Sequence, residues 1–87
     1  MKIQFTRHAL KRFAERQISL QQVLNTLKNS DVKTEEEQNL IAVYKRFKEL
    51  ALKVVFKEEE GELKIITAHW IEKERLKKLK PIIEGER

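Results

Sequence analysis

The chain has 87 residues, 40% of them hydrophobic and 38% charged, with a formal net charge of +5 and no cysteine. One domain fits that length and is taken as residues 1–87; barrel-sized cofactor enzymes, at about 250 residues, do not. Disulfide frameworks and thiolate zinc sites are excluded for want of cysteine, and no apolar run reaches the roughly 18–20 residues of a membrane span.

Met1-Lys2-Ile3-Gln4-Phe5 lacks the apolar stretch of a signal peptide, so a cytoplasmic protein is expected. Thr6 is placed to cap a first helix over residues 7–16, where Ala9, Leu10, Phe13 and Ala14 have helical spacing. Ser19 followed by Gln22 forms a capping box that opens a second helix with Val23, Leu24 and Leu27 inward. Gln17-Ile18 is then a tight link between the two, giving an N-terminal helical hairpin. Asn29-Ser30-Asp31 breaks the pattern.

Residues 40–47, 50–57 and 63–70 are rich in β-branched and aromatic residues and read as strands, with residues 32–37 as a short edge strand. Gly61 supplies a turn residue between the last two, and Lys48-Glu49 a weaker turn between the first two. Residues 71–80 read as a short C-terminal helix ended by Pro81. The expected class is α+β: a helical hairpin packed on a three- to four-stranded antiparallel sheet, with a short terminal helix.

Charge is unevenly placed. Residues 1–17 carry +4 and residues 38–57 carry +4, while the runs Glu35-Glu36-Glu37 and Glu58-Glu59-Glu60 look like acidic turns. Two basic patches of this kind suit an anionic partner such as RNA. Richness in Lys, Glu, Ile and Val resembles a heat-adapted composition.

Even-length turns would set Lys57 opposite Lys64, Val55 opposite Ile66, Lys53 opposite Ala68 and Ala51 opposite Trp70, with Tyr44 opposite Lys53 and Arg46 opposite Ala51. One face would then carry Ile41, Val43, Leu52, Val54, Phe56, Leu63, Ile65, Thr67 and His69 toward the helices. Tyr44, Arg46, Lys53, Lys57 and Trp70 would share the other, basic face, where the two aromatics could stack on bases.

No phosphate-binding loop, metal-ligand cluster or nucleophilic triad is visible, and no cofactor or metal is expected. The two histidines, His8 and His69, are the titratable groups suited to metal-free RNA cleavage, in which one group takes the 2′-OH proton and another protonates the leaving oxygen. His8, Arg12 and Arg16, four residues apart, share one helix face, and the two arginines could clamp a phosphate. A plain solvated helix face is the alternative.

The run Phe5-Thr6-Arg7-His8-Ala9-Leu10-Lys11-Arg12-Phe13-Ala14-Glu15-Arg16-Gln17-Ile18-Ser19 resembles the opening signature of a small prokaryotic family, domain of unknown function 4258. Val43-Tyr44-Lys45, Leu52-Lys53-Val54-Val55 and Ile65-Ile66-Thr67-Ala68 are similar to its strands. That family is compared with RelE/ParE-like toxins and with barnase- and colicin-type metal-independent ribonucleases. The resemblance implies possible RNA cleavage, with His8 and Thr67 as site residues and Arg12 and Arg16 as helix basics. His69 stands where relatives often carry Tyr, and offers a second titratable group.

Three functions are therefore expected to compete. The first is a metal-independent endoribonuclease of toxin–antitoxin type, with a small acidic antitoxin-like partner, using His8, Arg12, Arg16, Thr67 and His69. The second is a non-catalytic RNA binder using Tyr44, Arg46, Lys53, Lys57 and Trp70. The third is a protein-interaction module that receives a peptide in its helical groove or on a sheet edge.

Overall fold

In the computed structural model, which describes residues 2–79, Thr6 and Ser19 each open a helix. The Thr6 hydroxyl accepts from the Ala9 N–H at 3.0 Å at the start of α1 (Arg7–Glu15). The Ser19 hydroxyl accepts from the Gln22 N–H at 3.0 Å, and the Gln22 side-chain oxygen accepts from the Ser19 N–H at 2.9 Å. Thus α2 (Leu20–Lys28) begins on the capping box read in the sequence.

The link between them closes in the way helix ends commonly do. Gln17 takes φ 56, the Ile18 N–H donates to the Phe13 carbonyl at 2.9 Å and the Gln17 N–H to the Ala14 carbonyl at 3.4 Å. This is a Schellman motif with glutamine in the position that favours glycine. Ile18 and Phe13, both buried, supply its apolar contact.

Five strands form one sheet: β1 (Lys2–Phe5), β2 (Val32–Glu35), β3 (Ile41–Phe47), β4 (Leu50–Glu59) and β5 (Glu62–Glu72), in the order β1-β5-β4-β3-β2. β1 runs parallel to β5 and the other neighbours are antiparallel. The expected three- to four-stranded antiparallel sheet is therefore a five-stranded mixed one. β1 escapes pattern reading because four residues give too few alternations, and its partner lies sixty residues away (Lys2 beside Glu62).

The helical hairpin is corrected in detail. α1 makes its main contacts with β5, and α2 with β4 and β3, so each helix is placed by the sheet rather than by the other helix. Both cover one face, where Ala9, Phe13 and Val23 meet Val43, Leu52, Val54, Phe56, Ile65 and Ala68. The terminal helix is a short 3-10 segment, Lys73–Lys78; Ile71 and Glu72 still belong to β5, and Lys80 and Pro81 lie outside the described residues. Its Leu76, with Leu79, packs on Ala42, Tyr44 and Val55 of the opposite face.

The turn between β4 and β5 holds two residues, Glu60 (φ 50) and Gly61 (φ 78), the double positive φ that matches the twist of a hairpin. It fixes Lys57 opposite Lys64 as expected. Beyond it the register shifts. Phe56 pairs Ile65 and Val55 pairs Thr67, so Ile66 is an extra residue in β5. The pairs expected as Val55–Ile66, Lys53–Ala68 and Ala51–Trp70 become Val55–Thr67, Lys53–His69 and Ala51–Ile71.

One inserted residue exchanges the faces of everything after it. Ala68 and Trp70 join the helix-side core, while Thr67 and His69 take register positions opposite Val55 and Lys53 on the other side of the sheet. Register on the β3 side of β4 is as expected, with Tyr44 opposite Lys53 and Arg46 opposite Ala51.

Candidate functional site

β1 stops at Phe5 because Thr6 turns the chain into α1. It pairs β5 only as far as Ile65, and leaves the rest of that edge of β5 uncovered by strand. Arg16, at the C-terminal end of α1, fills the gap. Its guanidinium donates to the Ala68 carbonyl at 2.8 Å and to the Thr67 hydroxyl at 3.2 Å. The two acceptors suit the flat guanidinium fork better than an ammonium point charge. The arginine is held from behind as well, since the Trp70 indole N–H donates to the Arg16 carbonyl at 3.1 Å.

Across the sheet, on the face away from the helices, Tyr44, Lys53 and His69 stand in one row on β3, β4 and β5. Lys53 Nζ lies 5.7 Å from the centre of the Tyr44 ring and 2.8 Å from a Glu36 carboxylate oxygen. A small cavity of about 60 Å³ is bounded by Tyr44, Lys53, His69, Ile71, Arg75 and Leu79.

Burial, first, and then the charges of Lys53, Arg16 and Arg75 push His69 below the ordinary imidazole range, against a smaller opposing pull from Glu36. For Lys53, burial works to lower the ammonium, but the Glu36 carboxylate and the Tyr44 hydroxyl outweigh it and raise the group overall. The surroundings thus favour the uncharged form of the imidazole next to the Lys53 ammonium. Such an imidazole can accept a proton, and the cations can hold an anion next to it.

The five expected catalytic residues separate into two groups. Arg16 and Thr67 meet directly, and Arg16 acts electrostatically on His69. His8 and Arg12 form their own exposed pair on α1: Arg12 Nε donates to His8 Nε2 at 3.4 Å, and the same arginine bonds Glu15 at 3.0 Å.

The expected aromatic platform is overturned. Tyr44 is only 3% exposed, under Leu76 and Leu79. Trp70 lies on the helix side and meets Phe47 edge-on at 5.9 Å. Of the expected cationic partners, Lys53 sits in the row just described, Lys57 pairs with Glu59 at 3.6 Å, and Arg46 is exposed near the far end of β3.

Glu36 and Arg75 were not legible as site residues. Glu36 belongs to an acidic run that reads as a solvated turn, and Arg75 to a segment that reads as a surface helix. A larger groove, about 470 Å³, lies along α2 by Leu24, Asn25, Lys28 and Phe47, away from these groups. Among the described residues, no cluster of three or more His, Asp or Glu side chains could hold a metal ion, and no helix is long and apolar enough to cross a membrane.

This geometry defines a small α+β domain with a half-buried histidine among cations at a sheet edge. Residues 5–70 match the family model DUF4258, a domain of unknown function, and the chain belongs to that family. Neither the curated proteins nor the solved structures give a significant match.

Proposed function

We propose that the protein contacts RNA through the Arg16–Thr67–His69–Lys53 cluster and cleaves it there without a metal, as a small toxin-like endoribonuclease. The observation that carries the reading is half-buried His69 directly opposite Lys53 and next to the Thr67–Ala68 segment that Arg16 grips, on the stretch of β5 that β1 leaves unpaired. The basic balance of the chain adds to it.

In the reaction, His69 takes the proton from a ribose 2′-hydroxyl as that oxygen attacks the adjacent phosphorus. The new P–O2′ bond forms while the P–O5′ bond breaks, and the departing 5′-oxygen takes a proton from water. The products are a 2′,3′-cyclic phosphate and a 5′-hydroxyl. Arg16 and Lys53 hold the charge that builds on the phosphate oxygens, and the Thr67 hydroxyl, already bonded to Arg16, positions that guanidinium.

Kinship with RelE/ParE-like toxins belongs to the same proposal. It is supported by two helices on one face of a small sheet and by the basic end of α1 at the sheet edge. A cytoplasmic setting and a small acidic partner protein go with it. The second reading is RNA contact without cleavage, favoured by one observation: His8, the other imidazole, bonds Arg12 instead of joining the cluster. Incubating the purified chain with single-stranded RNA in excess chelator separates the two. Fragments with cyclic-phosphate ends support cleavage, retention without fragments supports binding alone, and RNA left both uncut and unbound overturns both readings.

A further inference from the structure

We propose that the Lys53 ammonium is the seat of an RNA backbone phosphate, and that in the free protein the Glu36 carboxylate occupies that seat as an internal stand-in. This rests on the RNA reading above. It adds the group that is recognised, a singly charged phosphodiester, and the residue that competes with it.

The Glu36–Lys53 contact, at 2.8 Å, is the shortest ion pair among the described residues, and both side chains are partly withdrawn from solvent, at 33% and 21% exposed. It differs from a self-contained structural pair in its surroundings. Lys53 and Arg75 line one small cavity with Tyr44 and His69, and Arg16 lies nearby on Thr67 and Ala68 of β5, so cations gather around the row that holds the Glu36 pair. The site keeps a positive excess that an anion can use. Exchange of a carboxylate for a phosphodiester conserves charge, and either group offers oxygens to the Lys53 N–H donors.

The loop that carries Glu36 is built at a conformational cost. Gln38 and Asn39 both take φ 62, the left-handed region that residues other than glycine rarely adopt. The Glu36 N–H donates to the Leu40 carbonyl at 2.8 Å and the Leu40 N–H to the Glu37 carbonyl at 3.3 Å. Among the described residues, the carboxylate's ion-pair partner is Lys53. Beside it lies an open depression of about 440 Å³ bounded by Glu36, Glu37, Gln38, Leu40 and Val55.

The test uses the full chain and a fluorescein-labelled 2′-O-methyl RNA of about ten nucleotides, which lacks the free 2′-hydroxyl needed for cleavage. Glu36→Gln keeps the shape and removes the competing charge. At low salt it is expected to tighten binding about two- to fivefold, the range that an ion pair of this exposure spans. Adding Lys53→Gln is expected to abolish that gain. Unchanged or weaker binding by Glu36→Gln, or a gain that survives Lys53→Gln, overturns the inference while leaving RNA contact standing. Glu36→Ala gives the same comparison should Glu36→Gln fail to fold. If the native chain and the variant both ignore RNA, the RNA reading falls, and inorganic phosphate is titrated while the His69 ring signals are followed by NMR. A shift in Glu36→Gln and none in the native chain supports the anion seat; no shift in either overturns it.

Discussion

The indole N–H of Trp70 donates to the backbone carbonyl of Arg16 at 3.1 Å, fifty-four positions away in sequence. A residue expected to stack on bases is instead the bracket that fixes the end of α1 against β5. Phe47, edge-on to the indole at 5.9 Å, fixes the bracket in turn. Trp70→Phe keeps the ring and removes the donor, leaving a half-buried carbonyl short of a partner. A loss of about 1–3 kcal/mol is expected, read as a lower denaturant midpoint with unchanged slope.

Gln17, the next residue along, carries φ 56 at a position glycine fills best. Gln17→Gly removes the Cβ penalty of the left-handed region. It is expected to stabilise the chain by about 0.5–1 kcal/mol after the entropic cost of glycine, seen as a higher thermal midpoint.

Thr34 is buried at 6% exposed, and its hydroxyl has no hydrogen-bond partner among the described residues. An unsatisfied buried hydroxyl costs stability, and valine has nearly its shape without that cost. Thr34→Val is expected to gain about 1 kcal/mol, which for a domain of this size raises the melting temperature by roughly 4–8 °C.

These sites show what a linear reading can reach. The capping residues Thr6 and Ser19, strands β2 to β5 and the hairpin register near Gly61 were legible because each depends on neighbours within a few residues. The bulge at Ile66 was not. Nothing in Ile65-Ile66-Thr67 distinguishes a regular strand from one with an extra residue, since both fill an apolar surface. That single insertion moved His69 from the expected core side to the row with Lys53 and Tyr44, and brought Trp70 inward. Arg16 was legible as a functional candidate, but its partners were not: they depend on where β1 ends, and β1 is set by a long-range parallel pairing.

His69 gives a pH dependence of definite sign. Its folded pKa lies below the ordinary imidazole value of 6.5. As pH falls below 6.5, the unfolded chain takes up the proton first, so stability is full above that value and is lost as pH falls through the folded one. His69→Gln removes this slope. Equilibrium unfolding measured from pH 8 down to pH 5 is expected to show the decline in the native chain and a smaller one in the variant. An NMR titration of the His69 imidazole is expected to place its midpoint below that ordinary value.

Under the proposed cleavage, His69 and not His8 is the general base, although His8 lies in the more recognisable sequence motif. Cleavage of single-stranded RNA in chelator, scored by cyclic-phosphate ends, tests this when His69→Gln and His8→Gln are compared with the native chain under identical conditions. The account expects His69→Gln to lower the rate by about 10²–10⁴-fold, the usual contribution of a positioned general base, and His8→Gln to leave it within a few-fold of native. Loss of cleavage in His8→Gln with His69→Gln unaffected would contradict it.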